Sequence, residues 1–198
     1  VKSFIEDSYP HMFEYDTDRD NYDYVYDAES LRSLAGRKMH SKKNHFNGFV
    51  KEYQDRFVYK AIEKSEFDEC LRLSDKWAFS REKDRNLIGE NLAIKKVLKN
   101  ADKFSCLKIG GIYIDNDLEA FTFGDLINSQ MAVIHIEKAN PDIRGIYSAV
   151  NKLFLENEFP DVEFVNREDD LGIEGLRKAK LSYKPLRLVE KYTLTERQ

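Results

Sequence analysis

Apolar positions recur along the chain with two periods, and each change of period marks a new element. Tyr22-Asp-Tyr-Val-Tyr-Asp27 alternates aromatic and polar residues, which predicts a strand. Asp27 stands where an N-cap belongs, ahead of a helix opening Ala28-Glu29-Ser30-Leu31. Gly36 interrupts, after which Phe46, Phe49, Val50 and Tyr53 recur at helical spacing. Phe57-Val58-Tyr59 reads as a short strand. Ser65-Glu66-Phe67-Asp68 resembles a capping box with Asp in place of Glu. The helix behind it carries Phe67, Cys70, Leu71 and Trp77 on one stripe. A further helix is marked by Ile94, Val97, Leu98, Ala101 and Phe104.

The period then shifts to two. Leu107, Ile109, Gly111 and Tyr113 fall on one face, and Asp115-Asn116-Asp117 is a turn signal. Leu107–Asp115 and Leu118–Leu126 are therefore expected as an antiparallel hairpin. Met131 to Lys138 forms a third strand. Asn140-Pro141 reads as an N-cap followed by a proline in the first helical position. The helix beyond carries Ile143, Ile146, Tyr147, Val150 and Phe154. Val162 to Asn166 is a short buried strand, Leu171 to Leu181 a helix, and Leu186 to Leu194 a final strand. A hairpin, a third antiparallel strand and a βαβ crossover describe an α+β fold. Its centre is a mixed, acetyltransferase-like sheet flanked by helices. In that fold two central strands splay apart and the acyl donor enters the gap.

Composition narrows the classes. The 198 residues are 41% apolar and 13% aromatic, enough for a sizeable core, so wholesale disorder is excluded. Charged residues reach 34%, but 32 basic and 36 acidic side chains leave a net charge of -4. That excludes a histone-like polycation and leaves room for local basic patches. No run approaches the roughly 18 apolar residues of a membrane span, and no secretory leader is visible. The chain opens on Val1, which suggests a trimmed version of a longer protein. Cys70 and Cys106 are expected to be buried free thiols in a cytoplasmic protein. His11, His40, His45 and His135 are scattered, so no metal site is expected.

Three segments carry a family resemblance: Lys42-Lys-Asn-His-Phe-Asn-Gly-Phe49, His135-Ile-Glu-Lys-Ala139, and the long run from Asn166 to Pro185 that includes Gly175-Leu-Arg-Lys-Ala-Lys180. Together they resemble the bacterial family grouped with the C-terminal domain of phosphatidylglycerol lysyltransferases. The resemblance implies tandem acetyltransferase-like domains. Residues 1–56 would be the end of a first domain plus a basic connector, and residues 57–198 a complete second domain. It also implies transfer of an aminoacyl group from a charged transfer RNA, with neither metal nor organic cofactor. The lysyltransferases deliver to a lipid hydroxyl. This chain shows no transmembrane portion, so a small-molecule, peptide or lipid acceptor all stay open.

Candidate site residues cluster in the second half. Glu137 ends a strand, where a carboxylate could take a proton or orient a cationic aminoacyl group. Arg167 stands ahead of a helix, where a cation gains nothing from the dipole, so it is read as an anion holder with Lys178. These three are the expected catalytic set. His135, Asn140, Arg144, Tyr147, Arg177 and Lys180 are the expected substrate-binding set. Arg37, Lys38, Lys42 and Lys43 make a second basic patch. Asp169 or Asp170 reads as a helix N-cap. The Arg144-Gly145-Ile-Tyr147 turn keeps only part of the pyrophosphate cradle of coenzyme A acetyltransferases. Two further readings follow from that: a non-catalytic RNA- or nucleotide-binding module, and a coenzyme A-dependent N-acetyltransferase.

Overall fold

The computed structural model describes residues 1–79 and 85–197. Helix α1 (Lys2–Ser8) and strand β1 (Phe13–Asp16) lead to β2 (Asp23–Asp27) and α2 (Ala28–Ser33). Asp27 caps α2 as expected, accepting the Ser30 backbone N–H at 2.7 Å. Next come α3 (His40–Tyr53), β3 (Phe57–Ala61), α4 (Phe67–Phe79) and α5 (Arg85–Lys99). Strands β4 (Lys108–Ile114), β5 (Asp117–Asn128) and β6 (Met131–Ala139) follow. The chain closes with α6 (Ile146–Glu158), β7 (Phe164–Asn166), α7 (Glu174–Ser182), β8 (Arg187–Val189) and β9 (Thr193–Glu196).

Seven strands form one mixed sheet in the order β3-β4-β5-β6-β7-β2-β8. Among the described residues, β6 and β7 are its one parallel pair of neighbours. The expected hairpin is β4–β5, turned by Asp115 and Asn116 at φ of 52° and 73°. Two successive left-handed residues are what a tight, twist-matched hairpin turn requires, and Asp and Asn tolerate them. Alternation along β4 then fixes the two faces. Ile109 and Tyr113 pack with α4 and α5 around Cys70, Ile94 and Phe121. Ile112 and Ile114 pack with α3 and α6 around Phe49 and Val150. The result is the acetyltransferase-like sheet flanked by helices that the pattern predicts.

Several local expectations change. The capping box is Glu63 with Glu66, one turn ahead of α4, because a short 3-10 turn at Lys64–Glu66 precedes the helix. Trp77 lies in α4, but its side chain is outside those described. Helix α6 starts at Ile146, because Gly145 at φ 85° ends the preceding turn. Asn140 therefore caps a turn, with its Oδ1 accepting the Asp142 N–H at 3.1 Å. The expected last strand is two. β8 stays in the main sheet, and β9 pairs with β1 in a separate two-stranded sheet. Lys191, between them, reaches Asp23 at 2.6 Å and Asp169 at 3.0 Å and carries the chain off the sheet. Cys70 is buried, which pushes its thiol up to about 12, but Cys106 is exposed.

Residues 1–56 do not stand apart in space. β2 lies between β7 and β8, and β8 has no other neighbour in the sheet. Helices α2 and α3 pack on α6 through Leu31, Phe49 and Val150. The sheet of residues 57–198 is thus completed by β2, a strand from the stretch expected to end a first domain.

One buried carboxylate joins the two parts. Asp170 is fully buried and accepts the Tyr24 hydroxyl, Arg177 Nε at 2.9 Å, Arg177 Nη2 at 2.7 Å and the Gly172 N–H at 3.0 Å. It closes a turn ahead of α7 and is not that helix's N-cap, which is Ile173. The hydrogen bonds from Arg177 hold its carboxyl well below the usual 3.8, with burial opposing them. A depressed carboxyl stabilises the fold above its unfolded value and ceases to as pH falls below it. Asp170→Ala removes the acceptor shared by Arg177 and Tyr24, leaving Arg177 its pair with Asp20, and should cost about 1–3 kcal/mol. Urea unfolding at neutral pH checks the loss, and the gap to wild type should narrow in acid.

Candidate functional site

β6 and β7 are paired in parallel only from Met131/Phe164 to Val133/Asn166. β6 then runs on to Ala139 against β5 alone, leaving a gap beside its C-terminal half. Ligands of open sheets bind at such ends of parallel strands. Arg167, one residue past β7, puts its guanidinium into this gap and pairs with Glu137 of β6. The two side chains are only 12% and 13% exposed.

The surroundings hold this pair from three sides. Asn151 of α6 donates to Glu137 Oε1 at 2.9 Å. The guanidinium lies 4.6 Å from the Tyr183 ring centroid and 5.6 Å from that of Tyr26. Such ring faces favour a cation that has lost its water. Lys180 donates to the Arg167 carbonyl oxygen, while its own carbonyl accepts the Tyr26 hydroxyl at 2.9 Å. Lys42, from α3, sits 4.0 Å from the same Tyr183 centroid. Three cations therefore surround one carboxylate. Burial, aided by the Arg167 charge, pushes Lys42 and Lys180 down to about 8. Burial also opposes the charge on Arg167, but Glu137 more than restores it.

A cavity of about 310 Å³ lies against this cluster. Glu137, Arg167 and Lys180 form its charged wall, and Leu171, Ile173 and Leu176 its apolar one. His135 also lines it. Its Nδ1 is 2.8 Å from Glu168 and its Nε2 3.5 Å from Asp125. The Glu168 hydrogen bond raises the imidazole pKa, with burial opposing it.

Of the residues expected from sequence, Glu137, Arg167, His135 and Lys180 meet at this cavity. Asn140, Arg144 and Tyr147 do not line it. Asn140 donates to Glu119 at 2.9 Å, the Tyr147 hydroxyl lies 3.3 Å from the Ala139 carbonyl, and Arg144 is exposed. The moved start of α6 puts all three outside the gap. Lys178 is 75% exposed and pairs with Glu174 one turn back, so its helix turns it away. Arg177 is committed to Asp170 and Asp20. Lys42, Asn151 and Tyr183 are additions. A lone amide among the buried apolar positions of α6 was the available signal for Asn151.

The start of α6 also bears on phosphate binding. The Ile146 and Ser148 amides bond the Ile143 and Gly145 carbonyls at 3.4 and 3.0 Å. A Cβ on Gly145 would collide with the His45 carbonyl of α3. Two of the amides at this helix start are thus in use, with α3 packed against the turn.

The sequence profile of the phosphatidylglycerol lysyltransferase C-terminal family matches residues 3–195. The chain belongs to this family. A conserved protein of unknown function from Bacteroides thetaiotaomicron is 35% identical and superposes with a TM-score of 0.93, over 99% of this chain and 66% of that one. L-PGS from Bacillus licheniformis shares the fold at 15% identity and a TM-score of 0.66, over 98% of this chain and 64% of that one. An uncharacterised protein of Mycoplasmoides gallisepticum is 23% identical over 169 residues, which are 85% of this chain and 54% of that protein. The family member described here thus spans about half of its curated relative. Among its described residues no helix is long and apolar enough to cross a membrane.

Lys42 and Lys180 give this site a pH signature. Both titrate well below the ordinary 10.5 in the folded chain. Between about 8 and 10.5 the unfolded chain binds more protons, so their contribution to stability rises with pH. Urea midpoints should climb from about pH 7.5 to about 9.5. Lys42→Met with Lys180→Met should flatten that climb.

Proposed function

We propose that this chain is an acyltransferase domain that takes an aminoacyl group from a charged transfer RNA. The observation that carries the reading is the Glu137–Arg167 pair, set where β6 and β7 part and opening on a cavity beside Lys180. An acceptor hydroxyl or amine attacks the ester carbonyl, the bond to the ribose oxygen breaks, and the acceptor's proton ends on that oxygen. Arg167 stabilises the charge that develops on the carbonyl oxygen, as a preorganised cation does in a dry site. Glu137 holds Arg167 in place, since both its oxygens already accept hydrogen bonds. Lys180, brought near neutrality, is the group suited to pass the proton. The family resemblance supports a charged transfer RNA as donor. The two amides already in use at the start of α6, and the close approach of α3, weigh against coenzyme A.

The occupied oxygens of Glu137 favour one competing reading, a binding module without chemistry. Filter binding with lysyl-tRNA, uncharged tRNA and acetyl-coenzyme A separates the readings. Charged tRNA should bind more tightly than uncharged, with acetyl-coenzyme A failing to compete. Equal binding of charged and uncharged tRNA would instead favour the RNA-binding module. Arg167→Ala should slow transfer from lysyl-tRNA by about 10²–10³-fold, as loss of one oxyanion donor does. Full activity in a folded Arg167→Ala protein would overturn the assignment.

A further inference from the structure

Among the described residues, three buried atoms at the Glu137–Arg167 pair have no hydrogen-bond partner: Arg167 Nε, Arg167 Nη1 and Asn151 Oδ1. Buried polar atoms are nearly always paired in folded proteins, so three together in one cluster call for a cause. The orientation of the Asn151 amide is fixed by chemistry. Its other end faces Glu137 Oε1 at 2.9 Å, and a carboxylate only accepts, so the nitrogen must be there and the oxygen must be the free acceptor. Asn151 is 2% exposed. The cluster therefore has spare donors on a guanidinium and a spare acceptor on an amide, on either side of one carboxylate.

A plain acyl group offers only a carbonyl oxygen. It would satisfy Arg167 and leave Asn151 Oδ1 unmatched. An α-aminoacyl group carries a carbonyl acceptor and, one carbon away, an N–H donor, and it matches both. Resting on the aminoacyl-transfer reading, we propose that Asn151 is a specificity-determining residue that recognises the α-amino group of the donor while Arg167 holds its carbonyl oxygen. With Arg167, Lys42 and Lys180 at hand, the amino group enters uncharged and donates an N–H to Asn151 Oδ1. Glu137 and Arg167 wall the cavity, whereas Asn151 does not line it and stands behind Glu137, so the head group must displace the Glu137 side chain far enough to reach Asn151.

The test uses two stable amide analogues of a charged tRNA end, alanyl-adenosine amide and propionyl-adenosine amide, which differ chiefly in the α-amino group. Calorimetric titration of the wild-type protein should give at least about tenfold tighter binding of the alanyl compound, since a site built for an N–H rejects an analogue lacking it. Asn151→Leu should erase that preference. Equal binding of the two compounds by wild type would overturn the proposal while leaving acyl transfer standing. Binding of neither would overturn the aminoacyl-transfer reading itself and the proposal with it. A folded Asn151→Leu protein that keeps the preference would also refute the role of Asn151. The wild-type comparison decides whether or not the variant folds.

Discussion

The candidate site depends on a guanidinium held out of water. Arg167 is placed where two parallel strands cease to pair, and removing a charge from water costs several kcal/mol per ion. The protein offsets that with one carboxylate and two aromatic faces. Burial, aided by the Arg167 charge, also loosens the hold of the neighbouring lysines on their protons. A positive, poorly hydrated pocket beside a cavity is suited to stabilise an oxygen that gains negative charge during a reaction.

Holding that charge in place is the work of the surrounding scaffold. The segment after β7 carries Arg167, Glu168 and Asp170 in sequence, with Glu168 and Leu171 at positive φ. Such backbone is costly unless its surroundings over-determine it. Here Asp170 is tied to Tyr24 and Arg177, Lys180 binds the Arg167 carbonyl, and the Tyr24 N–H bonds the Glu168 carbonyl at 3.1 Å. β2 and α7 therefore brace the segment that presents the guanidinium. Residues from before position 57 thus touch the segment that carries the site.

Glu137 and Arg167 were legible in the sequence because both stand at strand ends, and strand ends in a βαβ unit are neighbours whatever the side chains do. Lys180 was legible as one of a basic group but not separable from Lys178 and Arg177. Helical phase turns Lys178 outward, and the pull of Asp170 and Asp20 commits Arg177. Asn140, Arg144 and Tyr147 were placed on the assumption that α6 begins at Pro141. The left-handed Gly145 delays the helix, and the close approach of α3 to that glycine depends on packing.

By itself the sequence determined the order of the elements from β2 to α7, the β4–β5 hairpin and its turn, the Asp27 cap and the two faces of β4. All are set by periodicity or by contacts between near neighbours in the chain. Only the tertiary structure decided that β2 completes the sheet, that β9 leaves it for β1, and that Lys42, Asn151 and Tyr183 converge on Arg167. Each of these joins residues more than ten positions apart. No local periodicity records such a contact, because its stabilisation comes from excluding water between elements whose relative placement the whole core sets.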